Sequence, residues 1–202
     1  MRLFIAIRLQ LSQEYNSLRN ELQRRTPYDD ITWVANDLSH LTLRFIGKTH
    51  SSQVKPIAEA LQKIAAITPE LNLEINKLGV FGSHYAPKVL WLGISNTPEL
   101  QQLYNTIDDS LQQLNFSLPK ENFVPHITLG RIKKIDNKNQ FWQMFEDLQP
   151  SYHQKFHISH ISLIRSQLEK EGPIYTTLYD FPLLGENMPK DGSSIPSSTP
   201  SI

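Results

Sequence analysis

The 202-residue sequence contains no cysteine, which excludes disulfide bonds, thiol nucleophiles and cysteine-held metals at once. It has no excess of charge of either sign, since 20 basic residues stand against 20 acidic ones. Proteins that grip long duplexes carry a basic surface, because neutralising phosphates supplies much of their affinity. Any contact with nucleic acid is therefore expected to be local, at an end or a single nucleotide. Long apolar runs are also missing. The opening stretch MRLFIAIRLQ is interrupted by Arg2 and Arg8 and is too short for a signal-peptide core or a membrane span. A cytoplasmic protein without membrane association is the expectation. Neither G-x-x-x-x-G-K-[ST] nor G-x-G-x-x-G occurs, so triphosphate and dinucleotide machinery has no support.

What the chain does contain is one arrangement twice. SHLTLRFIG at 39–47 and PHITLGRIK at 125–133 each hold a histidine, a threonine two places on, and an apolar residue after each. The two histidines are 86 residues apart (126 − 40). RLFIAIRL at 2–9 reads as a buried strand and is followed by a Ser12 helix cap. KVLWLGI at 88–94 repeats the strand and is followed by Thr97-Pro98, a cap with a first-turn proline. Shifting the first half by 86 lays Leu3–Ile7 on Val89–Gly93 and His40 on His126. Strand, helix start and histidine strand thus align together, which predicts an internal duplication with two similar lobes. KFHISHISLIRSQL and PIYTTLYDF read as closing strands. From about Leu184 the chain turns Pro-, Ser- and Gly-rich, so 184–202 is expected to be a disordered tail behind a domain of 1–183.

In a strand, residues two apart point the same way at a spacing of about 6.5 Å. His40 and Thr42 therefore share one face, and so do His126 and Thr128, while Leu41, Leu43, Ile127 and Leu129 turn to the other. An imidazole beside a hydroxyl suits a phosphate: the threonine donates to an oxygen and the histidine exchanges a proton. Two such pairs facing each other would flank one phosphorus, as in-line phosphodiester hydrolysis requires. Histidine can serve as base or acid, because its unperturbed pKa of about 6.5 leaves both forms accessible near neutrality. Strict alternation puts Arg44 on the same face as His40 and Thr42 and Arg131 on the other, although Gly130 permits a bulge that could re-aim Arg131. Of the other histidines, His157 and His160 would lie on opposite faces of one strand, and His50 and His84 belong to surface turns. No set of three or four ligands for a metal assembles outside the two motifs, so no metal or cofactor is expected.

At RLFIAI, HLTLRFIG, VLWLGI, FVPHITLGR and ISLIRSQLEKEGPIYTTL the sequence resembles the two-histidine (2H) phosphoesterase superfamily. Within it, the match is to the bacterial and archaeal RNA 2′,3′-cyclic phosphodiesterases. The resemblance implies an α+β fold of two pseudo-twofold lobes, roughly 1–86 and 87–183 and intertwined. Antiparallel sheets would line a central cleft, with helices packed outside. It makes His40 the proton donor and His126 the proton acceptor, with Thr42 and Thr128 holding the phosphate. It prefers Arg131 over Arg44 as the phosphate-facing cation, and it places Tyr175 either in the cleft or in the core. The implied reaction opens a terminal 2′,3′-cyclic phosphate on RNA to a 2′-phosphomonoester, with weak 2′–5′ ligation when a ribose 5′-hydroxyl takes the place of water. Two other readings stay open: a phosphodiesterase for small cyclic phosphates, and a non-catalytic binder of RNA 3′ ends. A monomer is expected. Phe81, Tyr85 and Tyr175 are candidates for base stacking.

Overall fold

The computed structural model describes residues 1–117, 119, 121–149, 152–169 and 172–185. In chain order it holds β1 (Arg2–Arg8), α1 (Gln13–Arg25), β2 (Asp30–Trp33), a 3-10 turn at Asn36–Leu38 and β3 (His40–Lys48). Then come α2 (Ser51–Ile67), β4 (Leu71–Ser83), β5 (Ala86–Ile94), α3 (Pro98–Gln113) and β6 (His126–Lys134). α4 (Lys138–Asp147), β7 (Gln154–Ile158), β8 (His160–Glu169) and β9 (Gly172–Pro182) complete it. No helix among the described residues is long and apolar enough to cross a membrane. Of the expected tail, residues 186–202 lie outside the described residues. Leu184 and Gly185 dock on the end of α2, donating to the carbonyls of Ala65 and Thr68.

Among the described residues the strands form one antiparallel sheet in the order β7-β4-β5-β6-β3-β1-β8-β9, with β2 added beside β6. The order is a palindrome about the β3–β6 seam. Each half is built by the same rule: a histidine strand, the apolar strand before it, then two further strands. The chain segments on either side of residue 86 are interwoven, because β4 pairs with β5 while β8 and β9 return to β1. One residue, Ser159, separates β7 at one edge from β8 in the other half, so the sheet must bend until the two lie close. KFHISHISLIRSQL is thus two strands and not one, and His157 and His160 stand on different strands.

The helices cover the face that Leu41, Leu43, Ile127 and Leu129 bury, each of them at most 2% exposed. Burial of such side chains stabilises by roughly 1.5–3 kcal/mol each. α1 presents Tyr15, Leu18 and Leu22 to this core, and α3 presents Leu100, Leu103, Ile107 and Leu111, both at helical spacing. Thr97 caps α3 by accepting from Leu100 N at 3.2 Å. Ser12 precedes α1 without such a bond, its hydroxyl lying instead 3.3 Å from the Tyr152 hydroxyl. With the helices on one face, the opposite face of the seam is left open.

Candidate active site

The seam is held by a single pairing, Leu41 with Ile127, and these two positions are themselves 86 apart (127 − 41). Carried one residue either way, that antiparallel register sets His40 beside Thr128 and Thr42 beside His126. Directly opposed Cβ atoms in a sheet lie about 4.5–5.5 Å apart, so the four side chains form a compact tetrad on the open face. Each imidazole is fixed in the same way. His40 Nδ1 lies 2.7 Å from the Leu38 carbonyl oxygen, and His126 Nδ1 lies 2.7 Å from that of Val124. A carbonyl only accepts, so Nδ1 donates and each neutral ring keeps its lone pair on Nε2. Two Nε2 atoms, each able to take or give a proton, are therefore presented by rings that cannot easily turn.

Aromatic rings wall both histidines. Phe4 and Tyr175 lie 5.1 and 5.3 Å from His40, centroid to centroid, and Phe81 and Trp91 lie 4.8 and 6.0 Å from His126. Burial among these rings pushes both imidazoles below the ordinary histidine value, against the opposing effect of their carbonyl bonds. A protonated His126 and Arg131 repel charge on His40 further, and Arg131 does the same to His126. Burial also pushes the Tyr175 phenol up, with Arg131 opposing. One guanidinium thus acts on His40, His126 and Tyr175 together, as a cation over the cleft does. Among the described residues the Thr42 and Thr128 hydroxyls and the Arg131 guanidinium have no hydrogen-bond partner, which leaves their donors free. No three His, Asp or Glu side chains converge as a cation site would need, again among the described residues.

A family model of the 2′-5′ RNA ligase superfamily matches residues 5–170 of this sequence. The chain belongs to that superfamily. Among its curated relatives, the Thermotoga maritima RNA 2′,3′-cyclic phosphodiesterase is 33% identical over 184 residues, covering 89% of this chain and 94% of the relative. The Methanocaldococcus jannaschii RNA 2′,3′-cyclic phosphodiesterase is 29% identical over 90% of this chain and 100% of the relative. Solved structures share the fold. Thermus thermophilus TT0787 superposes with a TM-score of 0.74 at 23% identity, over 93% of this chain and 100% of its own. E. coli LigT complexed with 3′-AMP superposes at 0.68 and 24% identity, over 90% of this chain and 97% of its own.

In this superfamily member, strict alternation fails at one repeated position, which exchanges the faces it assigned to the two arginines and leaves Arg131 where the resemblance put it. Pairing with β1 skips from Arg44 to Thr42, and pairing of β6 with β5 skips from Gly130 to Thr128. Each is a β-bulge, at Leu43 and at Leu129, again 86 apart (129 − 43). Past the bulge the faces exchange. Arg44, expected on the cleft face, is buried on the helix side instead. Its Nε donates to Asp108 Oδ1 at 2.7 Å, and its other nitrogens donate to the carbonyls of Phe45 and Ser117. It braces β3 against α3 and takes no place in the cleft. The same bulge in β6 turns Arg131 out to the open face, while Gly130, the counterpart of Arg44, faces the other way against Ile31 and Trp33 of β2.

Phe45, the counterpart of Arg131, emerges on the open face of β3 and is 63% exposed, with its ring 5.8 Å from Phe4. Sequence reasoning passed it over, although the 86-residue offset pairs it with Arg131 and was the signal available. Trp91 was also missed. Its indole lies flat over Gly79, where a Cβ would come within 2.2 Å of the ring, and Lys77 Nζ sits over the ring 5.6 Å from its centroid. Of the stacking candidates, Phe81 and Tyr175 flank the tetrad. Tyr85 stands 80% exposed at the β4–β5 turn, beside a His84 ring stacked 4.7 Å from Trp142. His50 caps α2 and His157 pairs with Glu70 at 2.7 Å, so neither enters the tetrad.

The apolar strands that precede the histidine strands correspond at 85 residues (89 − 4), since Phe4 faces Phe45 and Val89 faces Arg131. The sequence alignment at 86 was therefore one residue out in this strand. That slip exchanges faces: it would have matched cleft-facing Phe4 with Leu90, which lies in the core.

Proposed function

We propose that this superfamily member opens terminal 2′,3′-cyclic phosphates on RNA to 2′-phosphomonoesters by proton transfer between two histidines. The observation that carries the reading is the pair of imidazoles, each tied through Nδ1 to a carbonyl two residues back and each beside a free threonine hydroxyl. Thr42 and Thr128 donate to the non-bridging oxygens, and Arg131 offsets the charge that builds on them in the transition state. His126 takes a proton from water as the oxygen attacks phosphorus. His40 gives its proton to the departing 3′ oxygen, and the 2′ ester bond stays intact. The exposed Phe45, with Phe4 and Tyr175, forms the aromatic wall on the His40 side. A nucleoside stacked there brings its ribose oxygen to His40, which supports this direction of proton flow. A ribose 5′-hydroxyl in place of water gives weak 2′–5′ joining by the same course, its proton passing to His126 while the 3′ oxygen departs with the proton from His40.

The test is a short RNA ending in a 2′,3′-cyclic phosphate, incubated with EDTA beside His40→Ala and His126→Ala. A 2′-phosphate should form, and each substitution should cost at least about a hundredfold in rate, the usual scale for a general acid or base. Turnover by either alanine variant at the wild-type rate would remove that histidine from the mechanism. Binding of the RNA with no product would leave the protein as an RNA-end binder.

A further inference from the structure

The open face continues past the tetrad on the β1 side. A hollow of about 750 Å3 begins there, lined by Arg8, Ser39, His160, Ser162 and Asp180 among others. Ser39 precedes His40 in the chain, and Arg8 is the cross-strand partner of His40, so the hollow starts where the tetrad stops. Alternation along β1 puts Arg8 on the face that carries Phe4 and Ala6, the cleft face. Its guanidinium makes no ion pair or hydrogen bond among the described residues. The other charged groups here are of different character. Asp180 accepts a hydrogen bond from Ser162, His157 in the far wall is engaged by Glu70, and Asp37 is exposed at the rim.

In-line attack fixes which side of the phosphorus the nucleic acid occupies. Water enters on the His126 side, so the ribose that keeps the departing oxygen lies on the His40 side, over β3 and β1. The strand 5′ to that ribose must leave over the same half of the sheet, and the hollow with Arg8 is what it meets. We infer that the hollow receives the nucleotide 5′ to the cyclic end, with the phosphodiester that joins the two resting on Arg8. This rests on the RNA-end reading above and makes Arg8 a specificity determinant that favours RNA ends over free mononucleotides. The contact is with phosphate and carries no base preference. One unpaired cation fits one phosphodiester. The Asp180 and Asp37 carboxylates would repel a run of phosphates, but they can accept from ribose hydroxyls or base amino groups.

The test compares a nucleoside 2′,3′-cyclic phosphate with a trinucleotide bearing the same cyclic end, in wild type and Arg8→Gln. Binding of the two 2′-phosphorylated products is measured by calorimetry over a range of salt concentrations. The trinucleotide should lead by about tenfold in kcat/KM and in affinity, a typical worth for one charge-assisted phosphate contact. Arg8→Gln should bring it down to the mononucleotide's level and flatten its salt dependence by about 0.7 in log–log slope, the single-strand value for one phosphate. Equal rates on both substrates in wild type, or an equal loss on both in Arg8→Gln, would overturn the inference. If neither cyclic substrate turns over, the proposed reaction fails, and the binding comparison still decides the role of Arg8.

Discussion

Asp108→Asn removes the carboxylate opposite a guanidinium that has almost no access to water. Arg44 is 8% exposed and Asp108 7%, and the pair is made at 2.7 Å. Breaking a buried pair by removing one partner costs about 3–5 kcal/mol, because the remaining charge stays buried. Here the asparagine still offers an oxygen, and the Phe45 and Ser117 carbonyls still accept from Arg44, so the loss should fall near the low end. At about 2–4 °C per kcal/mol for a chain of this size, a loss of about 3 kcal/mol lowers Tm by roughly 6–12 °C. Replacing both partners, as Arg44→Met with Asp108→Leu, leaves no orphaned charge and should recover most of that loss. Thermal unfolding followed by circular dichroism on Asp108→Asn, on the singles Arg44→Met and Asp108→Leu, and on their double measures the effect. The companion assay is kcat/KM at a temperature where every variant is folded. It should stay within about threefold of wild type, because Arg44 meets the cleft only through the backbone carbonyl of Phe45. A hundredfold fall in kcat/KM for folded Arg44→Met would refute the reasoning and restore Arg44 as a phosphate ligand.

Four further outcomes follow from the cleft. Burial and Arg131 hold both imidazoles low, so the donor has lost its proton before pH reaches neutrality, and kcat/KM should peak on the acid side of about 6.5. Arg131→Gln removes a charge that disfavours both protonated rings, so the surviving activity should peak at higher pH; an unmoved or acid-shifted peak would separate Arg131 from the histidines. Phe45→Ala should raise KM by about thirtyfold, the middle of the range for loss of one base–aromatic stack, while Phe45→Tyr retains it; an unchanged KM in the alanine variant would place the base elsewhere. Gly79→Ala drives a methyl into the Trp91 ring, which packs by His126, and should cut kcat more than it lowers Tm; full activity would show that the indole is free to move.

The pairing of His40 with Thr42 and of His126 with Thr128 was legible in the sequence, because alternation within a strand is set by the backbone's own pleat. The repeat was legible for the same reason, since strand, helix cap and histidine strand recur at nearly one spacing. Helical faces such as Leu100, Leu103, Ile107 and Leu111 also follow from local periodicity. The two arginines were not legible from alternation. A bulge at Leu43 or Leu129 exists only as a mismatch against β1 or β5, so its effect on Arg44, Phe45 and Arg131 could not be read from either strand alone. The one-residue slip between β1 and β5 belongs to the same class, because register is a property of two strands and not of one. So does the hollow beside Arg8, lined by segments that the fold brings together from both ends of the chain. The sequence by itself determined which residues could exchange protons and that they come in two copies. Tertiary pairing alone supplied the physical reason that Arg131 and not Arg44 faces them, as the resemblance implied, and placed the hollow beside them, since side-chain direction past a bulge depends on the partner strand.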